Sequence, residues 1–383
     1  MNSIETIICL ILLLMAVPDL CGKLGRPALA NVGFVVFGLA LGPLVEVDVA
    51  TMIKQAGEVG FLLVLFEVGL EIDLPRLRDL LPSLRFAALW SFVQYPIVLG
   101  LARASGLNWL EGLLAASALA SCSMSMAYFG WKHYPGLAGS ARDFVLQIMI
   151  ALEVLAILIL SVGGVATQRG LSWFILLKLA GMAVTVFLIS RFASHLVNLF
   201  QLIIQKTTYW RVHFLVLLVL IICAIGDRLG LSAAKTAFFL GLFMSRAQFQ
   251  GVSIEEYIAP ISRRFLIPIF FMSLGLSIDG RLMFSYTALL ALCGAFLLIG
   301  VREVLHRRWL KTGGDLQTYL LLSPNLTMAA LAATVLLGAA NRHAATWVVL
   351  SGLFLSVISL LLLPRVREVV LKPGDETAML KSR

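Results

Sequence analysis

Apolar runs separated by short polar breaks occupy almost the whole chain. Their centres fall near residues 13, 36, 64, 94, 119, 154, 182, 218, 238, 270, 293, 327 and 354. Each run is roughly 17–23 residues, long enough for a helix to cross a hydrocarbon core about 30 Å thick. The pattern predicts an all-α polytopic membrane protein with about thirteen transmembrane helices. The first run reads as a span rather than a signal peptide, because Glu5 stands where a basic patch would be and no convincing small-residue cleavage site follows.

Composition agrees. Of the 383 residues, 60% are hydrophobic and 13% charged, too apolar for a soluble domain of that length. The net charge of +9 raises nucleic acid as a partner, but its distribution has another cause. With the amino terminus outside, the loops after odd-numbered spans and the carboxyl tail hold about 21 basic residues, among them Arg76, Arg78, Arg263, Arg264, Arg307 and Arg308. The opposite loops hold about 6: Lys54, Arg103, Arg169, Arg228, Arg281 and Arg342. This positive-inside bias places the carboxyl end in the cytoplasm of a cell with the chain in its inner (plasma) membrane, and no nucleic-acid partner is expected. The five cysteines are an odd number, lie in or at spans and have no disulfide or metal spacing. With no G-x-G-x-x-G, P-loop, zinc spacing or nucleophile–base pair, neither an enzyme nor a cofactor is expected.

An internal repeat changes the picture. Gly69-Leu70-Glu71-Ile72-Asp73 in the third run matches Gly275-Leu276-Ser277-Ile278-Asp279 in the tenth. The runs before them also correspond, "LGRPALANVGFVVFGLALG" from Leu24 with "LGLSAAKTAFFLGLF" from Leu229, allowing a short gap. Seven spans separate the copies, so they would cross the membrane in opposite directions. Two inverted repeats point to a secondary transporter with its site near the midplane between the copies. Repeat one would cover about 5–166, a linker helix about 172–195 and repeat two about 210–365 of a domain spanning 1–370, with 371–383 as a short cytoplasmic tail.

Corresponding runs in the two copies look discontinuous. The fifth holds Ser117, Ser121, Ser123 and Ser125, and in the twelfth Pro324 removes a backbone donor and restricts Ser323. Broken helices survive at membrane depth where the freed groups line a cavity or find partners within the protein.

Ionisable groups inside spans are functional candidates that need partners. Glu153 is the one formal charge between Phe144 and roughly Ala166. Arg302 stays charged at any working pH and needs an anion; Glu153 is its natural partner, with Glu303 a weaker one. Such a pair is either a permanent bridge or a switch in which a proton or cation displaces Arg302. Lys178 reads as structural. Lys235 reads as a packing partner for Asp227 or Glu67, and Glu71 and Asp73 as partners of Arg76 and Arg78. Glu67, one turn before Glu71, stays ambiguous.

"PALANVGFVVFGLALGP", "AGEVGFLLVLFEVGLEIDLPRLR", "DRLGLSAAKTAFFLGLFMSR" and "FLIPIFFMSLGLSIDG" resemble the monovalent cation:proton antiporter family, in the branch of bacterial potassium-efflux and sodium/proton antiporters. The resemblance runs from about residue 10 to 365. It implies a core domain, a dimerisation domain and a homodimer, with crossed unwound helices at Ser121–Met126 and Ser323–Thr327. It places the ion-binding acid, the one metal-cation ligand of its kind, at Glu153 and the basic partner at Arg302. Ser121, Ser123, Asn325 and Thr327 would add oxygen ligands, with Glu67 and Lys235 as auxiliary residues. Here Leu152-Glu153 stands where the family usually has a polar or acidic residue followed by aspartate. One carboxylate implies one proton for one cation, without net charge. The segment after Arg365 is too short for the nucleotide-binding domain such relatives often carry, so gating by a fused domain is not expected and a separate regulatory subunit is left open.

The leading expectation is therefore exchange of sodium or potassium for protons by alternating access, with the bilayer, a monovalent cation and the proton as partners. A second reading is a non-transporting sensor or partner subunit with Glu153 locked to Arg302. A third is a cation or organic-anion pathway without proton coupling.

Overall fold

The computed structural model describes residues 3–71, 81–137, 139–169, 210–228, 233–245, 248–249, 252–309 and 314–365. Among these the chain is almost wholly helical. The helices are α1 (Ser3–Lys23), α2 (Leu29–Leu41), α3 (Val47–Glu71), α4 (Leu81–Ala104), α5 (Trp109–Ala120), α6 (Met124–His133) and α7 (Gly139–Arg169), followed by α8 (Arg211–Arg228) and α9 (Ala233–Met244). A two-residue antiparallel pair, β1 (Gln248–Phe249) and β2 (Val252–Ser253), leads into α10 (Ile254–Ile261), a π-helical turn at Ser262–Leu266 and α11 (Ile267–Ser277). The last helices are α12 (Tyr286–Arg308), α13 (Thr318–Leu321), α14 (Leu326–Gly338) and α15 (Arg342–Leu362). Eight helical stretches among the described residues are long and apolar enough to cross a membrane. The run expected near residue 182, with Lys178, lies outside the described residues, as do Asp73, Arg76 and Arg78 of the pairing expected with Glu71.

The helices pack in two groups. In one, α3 lies against α9 and α11, and α11 also lies against α2; in the other, α4, α5, α7, α12, α14 and α15 pack on one another. The groups meet where α2 touches α15 and α3 touches α6.

Glycines set the first group's spacing. A side-chain carbon on Gly69 would strike the backbone of Phe238 and Leu242, and one on Gly275 would strike that of Val35 and Leu39. Gly241 faces the carbonyl of Phe66 in the same way, as Gly38 faces that of Met272. These are the positions matched in the sequence repeat, so the α3–α9 and α11–α2 contacts are built from equivalent residues. Small residues let backbones approach where lipid supplies no hydrophobic drive for association.

The second group is tied at its outer ends. Before α5, Asn108 and Glu111 form a reciprocal capping box, and the Asn341 amide before α15 also donates to Glu111. Beyond α6, the Tyr134 hydroxyl donates to Asp315 at 2.6 Å, just ahead of α13. Burial first, and then Asp315 beside it, raises the Tyr134 pKa above the ordinary phenol value, so this group remains a donor.

Gly275→Ala and Gly38→Ala are expected to destabilise the protein by about 1–3 kcal/mol by overpacking, read as a fall in the unfolding midpoint of the purified chain in detergent. Gly300→Ala, on an open helix face with nothing within 4 Å of the added carbon, is expected to stay within about 0.5 kcal/mol of the native chain.

Candidate functional site

The site is built on two interrupted helices. After α5 the backbone is extended at Ser121 (φ −79°, ψ 170°) and Ser123 (φ −100°, ψ 120°) before α6 begins. In the second, α13 has only four residues, and the chain unwinds through Leu322–Asn325 before α14. Pro324 lies in that break, where its missing N–H and its restriction of Ser323 do no harm. The interruptions touch: the Ser123 N–H donates to the Pro324 carbonyl at 2.6 Å, and Cys122 Sγ donates to the Leu321 carbonyl at 3.2 Å.

Each break leaves backbone groups without helical partners. At the carboxyl end of α5, Asn325 Nδ2 donates to the carbonyls of Leu119 (2.7 Å) and Ala118 (3.3 Å), and Arg302 Nη2 also donates to Leu119 (2.5 Å). The Ser121 hydroxyl donates to the Ala118 carbonyl at 2.6 Å. Arg302 Nη1 lies 3.5 Å from the Leu322 carbonyl past α13. Its Nε donates to Gln94 Oε1 at 2.7 Å, and the Trp90 ring centroid is 5.8 Å from the guanidinium carbon. The guanidinium is thus fixed at the negative ends of two helices.

Glu153, wholly buried on α7, takes the opposite position. Its Oε2 accepts from the Met124 N–H, at the positive amino end of α6, at 3.4 Å. Among the described residues its Oε1 and the buried Asn325 Oδ1 have no hydrogen-bond partner. A carboxylate oxygen can take a proton, and carboxylate and amide oxygens alike can ligate a hard cation. Ser123 and Thr327 are buried at the same crossing, in the breaks and the first turn of α14.

The ion pair expected between Glu153 and Arg302 is not present among the described residues. Three neutral acceptors and an indole ring satisfy Arg302 instead. Glu303 binds Arg307 one turn along α12. Glu67, left open by the sequence, accepts from the Ser262 hydroxyl and from Arg263 Nε at 3.2 Å, and Arg263 reaches Glu255 as well. Arg263 therefore lies within the Ile254–Ser277 helical stretch rather than in a loop. Pro260 interrupts the helical bonding just before it, and the π turn swings Ser262 and Arg263 onto buried Glu67. Lys235 belongs to α9, and its side chain lies outside the described residues.

A cavity of about 230 Å³ lies mainly against the first group, with Asn31, Phe34, Glu67, Arg263 and Phe271 in its wall and Thr327 from the second. Thr327 connects it to the crossing and Glu67 faces it from the other group. The sequence reading missed Gln94 and Trp90. A glutamine within "LWSFVQYPIVLG" was a visible signal, since polar side chains at membrane depth seek partners.

Paired, interrupted membrane helices that cross are a transporter architecture, and similarity to known proteins identifies the family. Residues 9–367 match the family described as sodium/hydrogen exchanger, transmembrane, and the chain belongs to that family. A probable Na(+)/H(+) antiporter 3 of Methanocaldococcus jannaschii is 24% identical over 289 residues, covering 72% of each chain. The glutathione-regulated potassium-efflux system protein KefC of Cronobacter sakazakii is 27% identical over 279 residues, 70% of this chain, which spans 44% of that relative's length. The solved sodium proton antiporter MjNhaP1 of Methanocaldococcus jannaschii shares the fold, with a TM-score of 0.66, 16% identity and coverage of 94% of this chain and 95% of that one.

Asn325→Leu is expected to cost about 1–3 kcal/mol, because it leaves the end of α5 short of buried donors. Ser117→Ala removes only a bond to the Leu114 carbonyl of its own helix and should stay within about 0.5 kcal/mol. Thermal unfolding of the two purified variants makes the comparison.

Proposed function

We propose that the chain is a secondary antiporter that exchanges a monovalent cation, sodium or potassium, for a proton. The observation that carries this is the fully buried Glu153 carboxylate, whose Oε2 accepts from the start of α6 at the helix crossing and whose Oε1 has no hydrogen-bond partner among the described residues. Glu153 holds either the cation or the proton. Asn325, Ser121, Ser123 and Thr327 complete an oxygen shell suited to a hard cation. Arg302 serves by holding the carbonyl ends of the broken helices together rather than by bridging Glu153.

Competition at one carboxylate gives exchange without net charge movement. Alternating access comes from motion of the group holding the crossing against the group containing α2, α3, α9 and α11. The equivalent glycine contacts of α3–α9 and α11–α2 support inverted repeats. The group containing α2, α3, α9 and α11 then serves as scaffold and dimerisation domain of a homodimer. The cavity at Glu67 and Arg263 is the approach to the site, and the positive-inside charge pattern puts the amino terminus outside and the carboxyl end inside an inner membrane. The reading of a non-transporting subunit, motivated by Leu152-Glu153 and Lys235, invoked a locked Glu153–Arg302 bridge; the neutral acceptors of Arg302 speak against the bridge and favour the exchange reading.

In liposomes enclosing a pH dye, addition of sodium or potassium against an imposed proton gradient is expected to move protons. Glu153→Gln should abolish the response, and an imposed voltage should not alter it. Folded protein that moves no protons with either cation between about pH 6 and 9, a range above the unperturbed carboxylate value, overturns the reading.

A further inference from the structure

Two opposite formal charges, Glu153 and Arg302, are buried at one crossing and are not paired. Coulomb attraction in a low-dielectric interior favours their meeting, so something must hold each in place. Glu153 is held by one backbone N–H. Arg302 is held by the carbonyls of Leu119 and Leu322, which belong to the fixed backbone, and by one polar side chain, Gln94.

Gln94 is itself oriented. It is fully buried on α4, and its Nε2 donates to the Trp90 carbonyl one turn back at 3.0 Å. That bond fixes which way the amide faces and turns Oε1 toward Arg302 Nε. Trp90, on the same face of the helix, lays its ring against the guanidinium. The polar face of α4 is therefore a seat for Arg302.

We infer that Gln94 is a positioning residue: it holds Arg302 on the carbonyl ends of α5 and α13 and so keeps the guanidinium off the free oxygen of Glu153. This rests on the exchange reading above. An arginine released from Gln94 seeks a new acceptor. Among the described residues, Glu153 Oε1 is the one buried carboxylate oxygen without a partner, and a charged acceptor outcompetes the neutral Asn325 oxygen. The cation must then displace Arg302 to bind. A neutral acceptor at position 94 thus separates a structural cation from the exchange site.

The test compares the native chain, Gln94→Leu and Gln94→Glu in the liposome assay, alone and with Arg302→Gln, measuring the half-saturating sodium or potassium concentration and the maximal rate. Gln94→Leu is expected to raise half-saturation about tenfold, with maximal rate changed less than about threefold. Gln94→Glu keeps an acceptor in place and should return half-saturation to within about threefold of native. With Arg302→Gln present, adding Gln94→Leu should change neither quantity by more than about twofold.

A general packing role would instead lower the rate in both Gln94 variants and persist without Arg302, and that outcome overturns the inference. Should Gln94→Leu fail to fold, Gln94→Met carries the same comparison. A native chain without cation-driven proton movement overturns the exchange reading and the inference with it. Native exchange with Gln94→Leu unaffected overturns the inference alone.

Discussion

Every peptide group at membrane depth must find its hydrogen-bond partner within the protein, because the bilayer core offers none. An uninterrupted helix meets that demand by itself. Two helices interrupted at the same level do not, and the crossing described here is organised around the groups so exposed. Asn325, Arg302, Ser121 and Cys122 all donate to carbonyls at or near the breaks, while Ser123 ties one interruption to the other.

That demand also separates the charges. Carbonyl ends attract a cation and N–H ends attract an anion, so Arg302 settles at the end of α5 and Glu153 at the start of α6. Each charge is stabilised by the backbone before either reaches the other. Among the described residues the carboxylate keeps an oxygen without a partner in consequence, and the ties at Glu111–Asn341 and Tyr134–Asp315 hold the outer ends of the broken helices.

Much of this was legible in the sequence. Pro324 and Asn325 announced a break because proline cannot donate, Glu153 announced a buried acid, and the matched glycines announced equivalent contacts. What the sequence could not convey was direction. Arg302 needed acceptors, but a residue name does not say whether its fork turns to a carboxylate on α7 or to carbonyls on α5. Gln94, visible as a polar residue in an apolar run, carried no motif to say which partner it holds. Arg263 and Arg264 read as loop residues because adjacent arginines in a membrane protein usually lie at an interface, and a π turn after Pro260 is a backbone event that hydropathy does not register.

The short α13 has a further consequence. Helices α6 and α14, of ten and thirteen residues, start at the crossing, whereas only α5, with twelve, and the four-residue α13 end there. A single turn aligns few peptide dipoles, so the electrostatic environment at the crossing is biased toward positive even before Arg302 is counted. On the exchange proposed above, a cation at Glu153 would meet this field as a repulsion, so its hold would be weaker than a lone buried carboxylate would provide, an arrangement suited to release rather than storage.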